Sequence, residues 1–156
     1  VDRDEHIHEE ADSMRIAPHL CFDGQCEAAF TFYQNVFGGE LATLKRYGDT
    51  PMGQSVPDDW QSRIAHATLV WPGSELFGAD VLPEQFQAPQ GFIIALGVEE
   101  PALAQDLFDA LSFDATIITP FESTFWTAGY GMLVDQFGIP WEVNCEEPVD
   151  KILESK

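Results

Sequence analysis

One order of predicted elements occurs twice along this chain, and that constrains the fold more than any single motif. In the first copy residues 15–22 read as a strand and residues 25–37 as a helix. Strands follow over 40–47, 63–71 and 74–81. In the second copy residues 91–98 read as a strand, the stripe Leu103, Leu107, Phe108 and Leu111 marks a helix, and strands follow over 114–120, 131–134 and 139–145. Each copy is β-α-β-β-β. Leu20 corresponds to Leu96 and Phe37 to Phe113, 76 residues apart and well beyond the solenoid range. A small module of this kind cannot bury both faces of its sheet, so two of them are expected to pair. In each the helix covers one face, and the other is left to enclose a ligand. The predicted fold is α+β, with two paired βαβββ modules forming a curved sheet around a cup.

The punctuation supports this segmentation. Asp23-Gly24 is a turn, with Asp23 placed to cap the first helix. Ala29, Phe30, Tyr33, Val36 and Phe37 recur at three- and four-residue spacing, the period of a helix with one apolar face. Gly38-Gly39 ends that helix. Pro72-Gly73 turns the third strand into the fourth, and a linker over 82–90 carries Pro83 and Pro89. Pro101 stands at a first helical position behind Glu99 and Glu100. Residues 48–59, rich in Gly, Pro and Asp, form a loop long enough to suggest function or mobility. The predicted organisation is one domain over 14–147, with module one at 14–82 and module two at 91–147. Flexible tails are expected at 1–13 and 148–156. His6 and His8 lie in the acidic first tail and carry no weight.

A chain of 156 residues with 45% hydrophobic content suits one globular domain. The formal charge of −20 opposes binding to nucleic acid or an anionic membrane, since the phosphate term would be repulsive. No apolar run is long enough to span a bilayer, and no basic-then-apolar leader is present, so a soluble, cytoplasmic protein is expected. Cys21, Cys26 and Cys145 form neither a Cys-x-x-Cys pair nor an even framework, and read as free thiols.

The last predicted strand is the most informative. Alternation places Trp141, Val143 and Cys145 on one face and Pro140, Glu142 and Asn144 on the other. The first face suits an apolar layer, the second a cup for a polar ligand. Glu142, flanked by Trp141 and Val143, is the residue to explain.

A series of local motifs runs along both modules. It begins with Phe22-Asp23-Gly24, Glu27-Ala28-Ala29-Phe30 and Phe32-Tyr33, and Phe37-Gly38-Gly39-Glu40. Arg46-Tyr47-Gly48-Asp49 with Pro51-Met52-Gly53, and Ile64-Ala65-His66-Ala67, follow. The last are Thr124-Phe125-Trp126, Gly131-Met132, and Asp135-Gln136-Phe137-Gly138 running into Pro140-Trp141-Glu142-Val143-Asn144. Together these motifs resemble those of the vicinal oxygen chelate superfamily, which includes glyoxalase I, bleomycin-resistance proteins and extradiol dioxygenases, and within it the PhnB-like branch. The resemblance spans 14–147 and implies a homodimer that binds a small organic molecule. Members of the branch often carry a methyltransferase label, but no glycine-rich nucleotide loop stands here to support one. Superfamily enzymes hold a divalent metal through ligands from the first and last strand of each module. Carried over, those positions fall on Glu142, which fits, and near Pro18, Phe77 or Gly78, and Ile93, which do not; His19 is one residue off, on the opposite face. One matched ligand does not hold a metal. No cofactor is therefore expected; if a divalent metal is bound, Glu142 and His66 are its ligands.

The remaining candidates each have two readings. Glu142 is a general base or ligand acceptor, or a relic of the ancestral site paired with Arg46 or Arg63. His66, predicted to share a face with Ile64 and Thr68, joins Glu142 in the cup as an acid–base partner or is a core histidine. Arg46, with Tyr47 beside it, clamps an anionic ligand or forms a surface ion pair. Met52 covers the mouth of the cup or packs its own loop. Phe125 and Trp126 line a pocket or pack between modules. Asn144 faces the cup beside Glu142. Three functions follow: a metal-free small-molecule-binding protein of the bleomycin-resistance type; a lyase, isomerase or dioxygenase using Glu142; or an acidic interaction module whose cup is vestigial.

Overall fold

A computed structural model of the chain describes residues 14–125 and 127–146; Trp126 and both expected tails lie outside the described residues. The first module consists of β1 (His19–Phe22), α1 (Cys26–Phe37), β2 (Glu40–Arg46), β3 (Ile64–Trp71) and β4 (Ser74–Asp80). The second consists of β5 (Ile94–Val98), α2 (Pro101–Leu111), β6 (Thr116–Glu122), β7 (Tyr130–Val134) and β8 (Pro140–Cys145). The strand orders are β1-β4-β3-β2 and β5-β8-β7-β6, the same order twice. In each sheet the module's first and last strands pair in parallel and the other neighbours are antiparallel. The duplicated α+β architecture expected from the sequence is present.

Element ends differ from expectation where backbone geometry intervenes. β6 begins two residues late because Asp114 sits at φ 51°, a left-handed conformation that no strand residue adopts. β5 begins at Ile94, after Gly91 at φ 80°. The long loop contains three short 3₁₀ turns, Tyr47–Asp49, Pro51–Ser55 and Asp58–Trp60. Gln61 Nε2 donates to the Gly53 carbonyl within it at 2.8 Å.

The start of α1 is capped from a distance. Asp23 makes no cap, contrary to expectation. Instead Asp80, buried at the end of β4, accepts from the Gly24 and Cys26 amides through Oδ1 at 3.0 and 2.9 Å, and from the Ile64 amide through Oδ2 at 2.8 Å. A carboxylate at a helix N-terminus also meets the positive end of the helix dipole. The same bond brings the first residue of β3 inward. Ile64 is therefore buried in the core and does not share a face with His66 as predicted.

The two modules meet through the helices. Phe30 of α1 lies so close to Gly78 of β4 that a Cβ there would stand 2.3 Å from its ring. Further along the same face of α1, Tyr33 and Phe37 contact Trp141 of β8 at ring distances of 5.4 and 5.1 Å. Phe32 and Tyr33 contact Phe137 of the β7–β8 turn. Asp135, buried in that turn, accepts from the Tyr33 hydroxyl, from Trp141 Nε1 at 2.9 Å, and from the amides of Phe137 and Ile139 at 2.8 and 2.9 Å. Four donors satisfy a charge that would otherwise be costly to bury. α2 rests on sheet two through Ala104, Phe108 and Leu111 and lies beside α1. One core results, in which each fully buried Leu or Phe contributes roughly 1.5–3 kcal/mol.

Each sheet thus has one face on the helices. Leu20, Phe22, Ala67, Leu69 and Leu76 fill that face in sheet one, and Leu133, Trp141, Val143 and Cys145 fill it in sheet two. The opposite face of each sheet, called its open face below, is covered by no helix among the described residues. No helix among the described residues is long and apolar enough to cross a membrane.

Candidate functional site: two open sheet faces

Strand alternation and register determine what the open faces carry. On sheet two, Ala95 of β5, Glu142 of β8, Met132 of β7 and Thr119 of β6 form one cross-strand row. Gly97, Asn144, Tyr130 and Glu122 form the next. Tyr130 reaches diagonally across the hairpin and donates to Glu142 Oε2 at 2.9 Å. That bond, then burial and the carboxylate charge, push the Tyr130 phenol above its ordinary range. Glu142 is half-buried, and among the described residues its carboxylate has no cationic partner. Asn144 Oδ1 accepts from Thr127 Oγ1 at 3.0 Å. Gly97 leaves room for the Glu146 carboxylate, which would stand 2.6 Å from a Cβ on that residue. This face is acidic: no Lys or Arg occurs between Arg63 and Lys151.

On sheet one, Leu20 and Phe22 face the helices, so His19 and Cys21 point the other way. His19 lies opposite Phe77 in the parallel pair, and Thr68 lies opposite Phe77 on the other side. His66 Nε2 is 3.1 Å from Thr68 Oγ1. Its ring stands 5.8 Å from Phe77 and 6.4 Å from His19. Burial first, and then the neighbouring His66, hold His19 below the ordinary histidine range. The sequence placed the ligand position of the first strand near Pro18, with His19 on the wrong face. The structure corrects this. Pro18 precedes β1, its carbonyl accepting from the Phe77 amide, and His19 takes the outward position. By the same parity the second module's position is Ala95 and not Ile93.

Glu142 and His66 do not meet within one chain. They lie on the open faces of different sheets, with the helices between. Nor is Glu142 paired with Arg46 or Arg63, which belong to the first module. The fork of Arg46 holds Glu27 at 2.7 and 3.0 Å and also donates to the Ser62 carbonyl, the ion-pair alternative left open above. Arg63 Nη1 donates to the Gly24 carbonyl at 2.7 Å. Tyr47 donates its hydroxyl to the Asp80 carbonyl at 2.6 Å, and burial followed by the Asp80 charge raises its phenol. Met52 is exposed in its loop, and Phe125 is 96% exposed. The Trp126 assignment lies outside the described residues.

Sequence reasoning missed Tyr130, Glu146 and the position of His19. A signal existed for Tyr130. A turn over Asp135–Gly138 pairs Met132 with Glu142, and that register brings Tyr130 within reach.

The metal positions of the superfamily can now be tested on geometry. Among the described residues no group of three or more His, Cys, Asp or Glu side chains converges. His19 and His66 are neighbours, but Glu142 is on the other sheet and engaged by Tyr130. The described residues of one chain thus bring no three such donors together. All three cysteines are free, and only Cys21 is exposed.

Comparison with known proteins agrees with the geometry. The sequence model of the 3-demethylubiquinone-9 3-methyltransferase family matches residues 14–144. Protein YjdN of Escherichia coli (strain K12) is 30% identical over 142 residues, covering 84% of this chain and 95% of that protein. Protein PA1353 from Pseudomonas aeruginosa is 38% identical with a TM-score of 0.79, covering 86% of this chain and 99% of that one. A PhnB protein from Bacillus cereus, described as a putative 3-demethylubiquinone-9 3-methyltransferase, shares 23% identity and a TM-score of 0.71, with 84% and 98% covered. A glyoxalase/bleomycin resistance protein/dioxygenase family enzyme from Burkholderia phytofirmans PsJN shares the fold at a TM-score of 0.55 and 15% identity, with 81% and 94% covered. By sequence match, duplicated topology and strand order, the chain belongs to the 3-demethylubiquinone-9 3-methyltransferase family, a PhnB-like branch of the vicinal oxygen chelate superfamily.

Proposed function

We propose that this protein binds a small organic molecule in a cup that a second copy of the chain completes, with the open face of sheet one from one copy set over the open face of sheet two from the other. The observation that carries this reading is the outward orientation of both polar faces. Each chain presents imidazoles beside an aromatic ring on one sheet and a Tyr–Glu pair on the other, and no helix among the described residues closes over either face. The faces differ in charge: Lys45, on the strand beside His66, belongs to sheet one, and Glu122, Glu142 and Glu146 belong to sheet two. In such a cup Glu142 accepts a hydrogen bond from the ligand through its second oxygen while Tyr130 holds the first. His66, Asn144 and Phe77 supply the remaining polar and aromatic contacts. Arg46, Tyr47, Met52 and Phe125 belong to the rim.

Mixed dimers test this arrangement. A thermal-shift screen of small acids and aromatics identifies a stabilising compound, and His66→Ala and Glu142→Gln each abolish its effect. A heterodimer of the two variants holds one doubly altered cup and one intact cup, and so recovers about half of the binding sites. No recovery on mixing, or a monomer by light scattering, sinks the composite cup.

A second reading, a metal-dependent lyase, isomerase or dioxygenase, draws on the closeness of His19 and His66. Two imidazoles from one copy and Glu142 from another would supply three donors of the kind a divalent ion takes. Elemental analysis of protein purified without chelator decides it. Stoichiometric metal, lost in both Glu142→Gln and His66→Ala, favours the enzyme, and metal-free protein favours the binder.

A further inference from the structure

We infer that the chain carries a second ligand site, at the junction of the two modules and bordering the open faces through Glu75 and Ala95, which takes an amphipathic ammonium compound: an apolar body with one cationic head. A cleft of ≈470 Å³ opens where the two modules meet. Phe37, Trp71 and Leu76 wall it from the first module, and Leu96, Leu103 and Trp141 from the second. Its size falls in the range of pockets that hold drug-sized ligands, and its walls are largely aliphatic and aromatic, as such pockets are.

Glu75 at the start of β4 also lines this cleft. Its side chain is only 10% exposed. Among the described residues no hydrogen bond reaches its carboxylate, and its ion-pair partner is Arg15 Nη1 at 3.5 Å, on a side chain 80% exposed. The two buried carboxylates among the described residues behave differently. Asp80 accepts three hydrogen bonds and Asp135 four, so both are saturated by the fold. A carboxylate offers about four acceptor directions. Glu75 is not fully buried and lines the cleft, and no buried side-chain oxygen among the described residues is left without a partner, so its oxygens remain open to solvent there. A ligand that covers them must replace that water, and an ammonium group does so by a charge-assisted hydrogen bond. The long-range field favours the same sign of ligand, because the chain is strongly acidic and its second module holds no Lys or Arg. A neutral apolar ligand would leave Glu75 unsatisfied, and an anion would be repelled.

Three compounds with one apolar body test the assignment: 4-phenylbutylammonium, 4-phenylbutanol and 4-phenylbutyrate. Each is titrated into the full chain and followed by tryptophan fluorescence, to which Trp71 and Trp141 report, and by thermal shift. The expected result is binding of the ammonium, about tenfold weaker binding of the alcohol, and none of the carboxylate. Glu75→Gln should bring the ammonium down to the level of the alcohol while leaving the alcohol unchanged. Leu103→Arg, at an exposed helix position on the wall, should block both compounds without unfolding the chain. Four outcomes overturn the inference: equal binding of ammonium and carboxylate; full ammonium binding in Glu75→Gln; loss in Glu142→Gln but not in Glu75→Gln; or no binding of any of the three compounds.

Discussion

Tyr130 donates its phenolic hydrogen bond to Glu142 Oε2 at 2.9 Å, on a sheet face that no helix covers. Replacing Glu142 by Gln removes the charged acceptor that leads the causes raising the Tyr130 phenol. Its titration, followed by ultraviolet absorbance, should then move down toward the ordinary tyrosine value. The raised phenol also makes the fold lose stability as alkaline pH climbs through the Tyr130 value, because the unfolded chain gives up that proton first. Tyr130→Phe should flatten that alkaline loss. An unchanged titration in Glu142→Gln would dissolve the pair as an electrostatic unit.

His19 provides the opposite sign at acid pH. Its depressed value means that the unfolded chain binds a proton before the folded chain does. Stability from this group is complete above the ordinary histidine value and falls as pH drops through the lower folded value. His66→Gln removes the neighbouring charge, so the His19 titration should rise, by the part due to His66 only, since burial is the larger cause. Imidazole NMR titrations between pH 4 and pH 8 check both the order and the direction.

Asp135 ties the first module to the second. Asp135→Ala would leave the Tyr33 hydroxyl and the Trp141 indole N–H without their acceptor inside the core. The expected loss is roughly 3–5 kcal/mol, the range for breaking a buried charged network. Urea unfolding gives the value. A loss below about 1 kcal/mol, the worth of an ordinary single hydrogen bond, would deny this residue its role between modules.

Gly78 is glycine because of Phe30. An alanine Cβ there would stand 2.3 Å from Phe30 Cε2, and Phe30 is fully buried. Gly78→Ala should destabilise by about 1–3 kcal/mol, the usual cost of overpacking, and Phe30→Leu in the same chain should recover part of it. Thermal melts of the single and double variants supply the comparison.

The elements were legible in the sequence because each rule acts locally. The α1 stripe, the Gly38-Gly39 ending and the alternation of Trp141, Glu142 and Val143 are each decided within a few residues. The outward aspect of Glu142 follows from that alternation alone. Two facts decided at longer range escaped. Asp80, not Asp23, caps α1 from the end of β4. His66 and Glu142 share no cup in one chain because one aromatic stripe of α1 packs on Gly78 of sheet one through Phe30 and on Trp141 of sheet two through Tyr33 and Phe37, so that both sheets turn their other faces outward. The face of His19 was lost because the ligand position was put at Pro18, one residue before β1 begins, and a one-residue shift inverts every side chain of a strand.

The repeated strand order has a consequence for asymmetry. An assembly built from separate, identical half-units must repeat each side chain at every equivalent place. Joining the halves in one chain lifts that obligation. Where the first half holds His19 and Phe77, the second holds Ala95 and Glu142, at matching places in the parallel strand pairs. The polypeptide thus keeps one architecture and displays two chemistries, an imidazole and aromatic side and a carboxylate side, each free to change without disturbing the other.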